Sequence, residues 1–141
     1  KRFPQAISLL ESRARPLPLN NFEVFSLARL YRQTGDDAKA LPMLEQMLKA
    51  EPGSAFVLRE LADLYRAQNR PADELGTLLQ LFQAAPDGAT NDRLVALYRQ
   101  RGDTAGEQAQ RVAAEHAGLG PTTKMPEIVT LPTPHVPRQS A

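Results

Sequence analysis

An arginine recurs in this chain behind the same two neighbours, as Leu30-Tyr31-Arg32, Leu64-Tyr65-Arg66 and Leu97-Tyr98-Arg99. A guanidinium is a rigid fork of N–H donors that matches a carboxylate and stays charged at every physiological pH. Three such forks at regular spacing suit recognition of an acidic surface rather than a reaction, or else a structural role, since arginine forms helix well, complements the dipole at a helix C-terminus and covers apolar surface with its stem. Other candidates for chemistry are few. His116 and His135 are the only histidines, and neither has a carboxylate or serine placed by sequence to make it a general base. Asp36-Asp37 invites a metal ion, but two carboxylates at a helix start suit the helix dipole and its open N–H groups better. With no cysteine, a thiolate nucleophile, a disulfide framework and a zinc cluster drop out. A G-x-S-x-G, a glycine-rich phosphate loop and a paired metal-ligand motif are all missing too. No catalytic, cofactor or metal residue is assigned, and the chain is expected not to be an enzyme.

Composition narrows the partners. Hydrophobic residues at 42% and charged residues at 23% are ordinary for a soluble globular domain of 141 residues. A net charge of +1 gives no broad attraction to a polyanion, and the tyrosines are needed for packing, so nucleic acid is not the expected ligand. The longest apolar runs fall far short of the roughly 20 residues that span a bilayer. The first residues, Lys1-Arg2-Phe3, carry neither an initiator Met nor a signal peptide, so the sequence reads as a piece of something longer. Its compartment, bacterial cytoplasm or periplasm, is left open.

The arginines are positioned by an internal repeat. Pro18, Pro52 and Pro86 are 34 residues apart, and so are Leu10, Leu44 and Leu78. Tyr31 to Tyr65 keeps that interval, while Tyr65 to Tyr98 is 33, so one residue is lost between Pro86 and the third tyrosine. One period predicts two short helices. Val24, Leu27, Ala28 and Tyr31 fall on one helical face. That helix should stop at Thr34-Gly35-Asp36, with Gly35 in the left-handed position and an Asp capping the next helix. Ala40, Leu41, Leu44 and Met47 form the inner side of the second helix, which ends ahead of Glu51-Pro52-Gly53. In the next period Asn69 replaces the turn glycine and Pro71 suits a first helical turn.

These positions resemble the tetratricopeptide repeat (TPR), whose pattern is a large residue, Leu-Gly/Ala, Tyr, Ala, an aromatic or Leu, then Pro. Val24, Leu27-Ala28, Tyr31, Ala40, Leu44 and Pro52 match it, as do Leu58, Leu61-Ala62, Tyr65, Leu78 and Pro86, with Glu74 departing at the small-residue position. The third copy keeps Leu94, Tyr98 and Gly102 but has Asn91, Val95 and Arg111 at consensus apolar or small positions. Ala6, Leu10 and Pro18 fit the second half of an earlier copy. The expected architecture is all-α: a solenoid of about seven helices with an extended proline-rich C-terminal tail. Its parts are a half-repeat at 1–20, repeats at 21–54 and 55–87, a degenerate terminal repeat at 88–119, and a tail or linker at 120–141. Gln108, Arg111 and Glu115 mark the final helix as a polar cap. The tail holds five prolines, and its Ile128-Val129-Thr130-Leu131 stretch is the part suited to docking.

In this family the first helices line a concave groove. The resemblance therefore implies groove positions Phe22, Phe25, Arg29, Arg32 and Gln33 in the first complete repeat. In the second they are Phe56, Arg59, Asp63 and Arg66, and in the third Asp92, Ala96, Arg99 and Gln100. Some relatives grip the C-terminal carboxylate of chaperone tails with Lys and Asn on these helices. Phe25, Arg29, Arg59 and Asp63 stand at those places here, so that clamp is not matched. The expected role is a protein-interaction scaffold that binds a peptide or helix, partly acidic, in a Phe/Arg-lined groove. The alternatives are an architectural segment of a longer bacterial array in envelope assembly or exopolysaccharide export, and self-association through the N-terminal end or the tail.

Overall fold

The computed structural model describes residues 2–14 and 19–120. Pro18, and the segment from Pro121 with Ile128-Val129-Thr130-Leu131 and His135, lie outside the described residues. Among the described residues there are seven helices and no strand. They are α1 (Phe3–Ala14), α2 (Asn21–Gln33), α3 (Asp37–Ala50), α4 (Ala55–Ala67), α5 (Pro71–Ala84), α6 (Gly88–Gln100) and α7 (Thr104–His116). Each packs on the next in chain order, and α2 also touches α4. Short connections and neighbour-only packing make a solenoid, in which α1 stands to α2 as α3 stands to α4. None of these helices is long and apolar enough to cross a membrane.

The recurring tripeptide sits at the end of every first helix for a backbone reason. After α2, the N–H of Asp36 reaches the Tyr31 carbonyl at 2.8 Å and the N–H of Gly35 reaches the Arg32 carbonyl at 3.1 Å. This is the Schellman closure, which satisfies carbonyls the helix leaves open and needs a left-handed residue at its centre. Gly35 supplies it at φ 82°, and Asn69 does so after α4 at φ 55°. There Arg70 and Asn69 donate to the carbonyls of Tyr65 and Arg66 at 2.9 and 3.0 Å. At Tyr98 and Arg99 the acceptors are the same, with Asp103 and Gly102 donating. The helix starts are more varied. Asn20 and Glu23 form a reciprocal capping box on α2, and Asp87 and Asp103 cap α6 and α7. Asp36, expected to cap α3, instead turns its carboxylate to Lys39 at 3.0 Å and makes no side-chain cap bond.

The core lies between repeats as much as within them. Leu44 and Leu78 are fully buried, and the small residues Ala28 and Ala62 let the helices approach closely. Each such leucine contributes about 1.5–3 kcal/mol of transfer free energy. The largest cluster joins α4 to α7 through Leu58, Leu78, Leu81, Phe82, Leu94 and Ala114, while α1 buries no residue fully.

Apart from Val95, the departures from the repeat pattern are paired polar groups. Asn91 is fully buried and accepts from Gln110 Nε2 at 3.0 Å, which keeps both amides satisfied where two apolar residues would otherwise meet. Glu74, in place of a small residue, is buried and held by Arg93 of the next repeat at 2.7 Å. Gly106 leaves room for the Tyr98 ring, since a Cβ there would stand 2.4 Å from the ring. At the solenoid end, Gln108 and Glu115 are exposed, and Arg111 folds onto Glu107 at 2.7 Å.

Candidate partner-binding surface

The residues expected in the groove lie on α2, α4 and α6, where they separate into three kinds. Phe22 and Phe56, one repeat apart at the N-terminal ends of α2 and α4, are 77% and 73% exposed. Between them opens an apolar cleft of about 310 Å³, walled also by Phe25, Met47 and Val57. Phe25 is half-buried against the core, and the Arg29 guanidinium lies 6.0 Å from its ring centre. Exposed aromatic rings bordering an apolar cleft are uncommon on a finished surface and mark places where partners dock.

A second kind is already occupied. Arg32 is half-buried and bonded to Glu60 of the next repeat, with Arg29 joining that carboxylate at 3.4 Å. Arg59 reaches Asp87 at 3.3 Å. Asp63 holds Arg93 at 2.6 Å, so it is one arm of the Asp63–Arg93–Glu74 cluster that ties the second repeat to the third. Arg99 turns along its own repeat to Glu107 at 2.9 Å. Burial opposes the charge on Arg93, but the bonds it donates to Glu74 and Asp63 outweigh that and strengthen its hold on the proton. The Nε atoms of Arg32 and Arg93 are buried without an acceptor.

The remaining residues are open. Gln33 and Asp92 are exposed, and so is Arg66, which has no ion pair among the described residues. Arg66 lines a cavity of about 230 Å³ between α4, α5 and α6 together with Asn69, Arg70, Arg93 and Gln100. The three arginines of the repeated tripeptide therefore have three different fates. Sequence reasoning missed Glu60, Arg93 and Glu107, the residues that decide those fates. A signal for Arg93 was present: Glu74 at an inward-facing position needs a counter-charge, and the next repeat is the place to seek it.

The tyrosines carry the electrostatics of the packing face. The Tyr31 hydroxyl donates to Glu11 and the Tyr65 hydroxyl to Glu45 at 3.2 Å, each acid lying 20 residues earlier on the preceding second helix. Burial, the Glu11 bond and nearby negative charge push Tyr31 from the ordinary 10.0 up to about 12. Burial and Glu45 push Tyr65 upward as well. Tyr98 has no glutamate at the matching place, where Leu79 stands, and lies against Gly106 instead.

Comparison with known proteins agrees with the helical fold. Residues 23–64 match the family described as "Tetratricopeptide repeat". No curated protein matches the chain. Among matching solved structures is "MamA MSR-1 C2", a TPR-containing protein. It has 18% identity and a TM-score of 0.63, over 82% of this chain and 69% of that one. The likeness is one of fold. The chain carries a tetratricopeptide repeat at residues 23–64, and the described helices around it continue the same solenoid.

Proposed function

We propose that this chain is a non-catalytic interaction module that binds a peptide or helix of a partner protein across α2, α4 and α6. TPR solenoids are protein-interaction scaffolds, which supports the general role. The observation that carries the particular surface is the Phe22/Phe56 pair, two aromatic side chains exposed at equivalent repeat positions on either side of one apolar cleft. A partner's apolar side chains enter that cleft, and rigid helices keep the ordering cost on this side of the interface small. The basic residues of the face that remain exposed favour a partly acidic partner and would act on selectivity and association rate more than on affinity.

A random-peptide display selection on the 141-residue chain tests this. The expected outcome is enrichment of peptides with aromatic or aliphatic anchors, and binding about tenfold or more weaker in the Phe22→Ala/Phe56→Ala variant, as for aromatic hot spots. Both rings are exposed, so the variant should melt like the parent. The proposal fails if nothing is enriched, or if the variant binds the selected peptides as well as the parent does.

A further inference from the structure

The ladder of three arginines is broken at one rung. Arg32 reaches forward to Glu60 of the following repeat. Thirty-four residues on, Arg66 stands at the equivalent of Arg32, but the equivalent of Glu60 is Arg93, by the same 33-residue step that relates Tyr65 to Tyr98. Arg93 and Arg66 both line the cavity between α4, α5 and α6. The acids near that cavity are in use. Asp63 and Glu74 hold Arg93 at 2.6 and 2.7 Å, and Asp73 holds Arg70 at 2.8 Å, with Arg70 also 4.7 Å from the Tyr65 ring centre. Of the three arginines lining the cavity, only Arg66 is left without a counter-charge among the described residues. The side-chain amides of Asn69 and Gln100 stand on the same walls.

We infer that this cavity is a carboxylate subsite, which receives the side chain of an Asp or Glu in the peptide whose apolar residues occupy the Phe22–Phe56 cleft. The inference rests on the partner-binding reading above and deepens it. A guanidinium with free donors beside amide donors is the chemistry that takes a carboxylate. The charge balance selects one carboxylate rather than a doubly charged phosphate. Asp63 and Glu74 both bind Arg93 and Asp73 binds Arg70, which leaves the one guanidinium of Arg66 for one negative charge, and the Glu74 carboxylate on the wall opposes a second.

Geometry adds a spacing rule. Phe56 and Arg66 are ten residues apart on α4, about 15 Å along its axis. The two cavities flank α4 on opposite sides, a lateral step of about 10 Å between neighbouring helices. Together these place the acid about 18 Å from the apolar anchor, which an extended peptide spans in about five or six residues.

The test uses synthetic, fluorescently labelled peptides with one Phe anchor and one Glu scanned from three to eight residues away, read by anisotropy on the full chain. The expected result is a maximum near an offset of five or six, about tenfold tighter than the same peptide with Gln. Arg66→Gln should remove that advantage while leaving the Gln peptide unchanged, and high salt should do likewise. C-terminal amidation should have no effect. A Glu/Gln ratio that is flat with offset, or unaltered by Arg66→Gln, overturns the subsite. So does an advantage that follows the terminal carboxylate instead of the Glu. Loss of all binding in Phe22→Ala/Phe56→Ala with an intact Arg66 would show that the anchoring cleft stands whatever becomes of the acid subsite. Binding indifferent to both phenylalanines would instead count against the partner-binding reading itself.

Discussion

The hydroxyls of Tyr31 and Tyr65 reach back one helix to Glu11 and Glu45, so each neutral phenol ties one repeat to the one before. The folded state raises the proton affinity of Tyr31 from 10.0 to about 12, which sets the sign of its pH dependence. Its contribution is fully present below pH 10 and is lost as pH rises towards 12, because the ionised phenolate would sit buried beside a carboxylate. Tyr31→Phe should therefore cost about 1 kcal/mol at neutral pH, the net worth of one hydrogen bond. That difference between parent and variant should shrink across the same alkaline range. Urea melts at pH 8, 10 and 11 would measure it, and a difference constant with pH would refute the assignment.

At the scale of the element, α6 is joined to the second repeat by a cluster that the repeat pattern does not contain. Glu74 has a side chain only 7% exposed, so its charge depends on Arg93. Arg93 in turn has a second acid in Asp63 and keeps some contact with solvent. Removing the two partners is therefore asymmetric. Arg93→Met strands a buried carboxylate and should destabilise by about 3 kcal/mol, in the range for breaking a buried pair from one side. Glu74→Ala leaves Arg93 held by Asp63 and restores the small residue typical of this place, so its cost should be about 1 kcal/mol or less. Equal losses in denaturant melts of the two variants would show that Glu74 is not dependent on Arg93.

Over the whole molecule, stability should be graded along the solenoid, since each helix pair is held only by its neighbours. The helix α4 buries the most side chains and belongs to both of the larger apolar clusters, and α5 supplies Leu78, Leu81 and Phe82 to the largest of them. By contrast, α1 buries none fully, and α7 only Gln110 and Ala114. Native-state hydrogen exchange should find the amides of α4 and α5 slowest and those of α1 faster by about tenfold or more. Uniform protection from α1 to α7 would mean that the described helices open as one unit.

How much of this was legible beforehand follows from the range of the interactions involved. Helix ends, turn residues and the packing face rest on contacts within a few residues: Gly35 and Asn69 close their helices through Tyr31, Arg32, Tyr65 and Arg66. A 34-residue period repeats those local contacts, so the sequence by itself determined the solenoid, its helices and the inward side of each. Asp36 escaped because two acceptable partners competed for one carboxylate, and Lys39 won. The fate of each repeated arginine was decided only by the tertiary structure. Whether such a side chain is spent or free depends on a residue in another helix: Glu60 for Arg32, Glu107 for Arg99, and for Arg66 an arginine where the acid would stand. Charges pair through space, and only packing one repeat on the next brings those residues together.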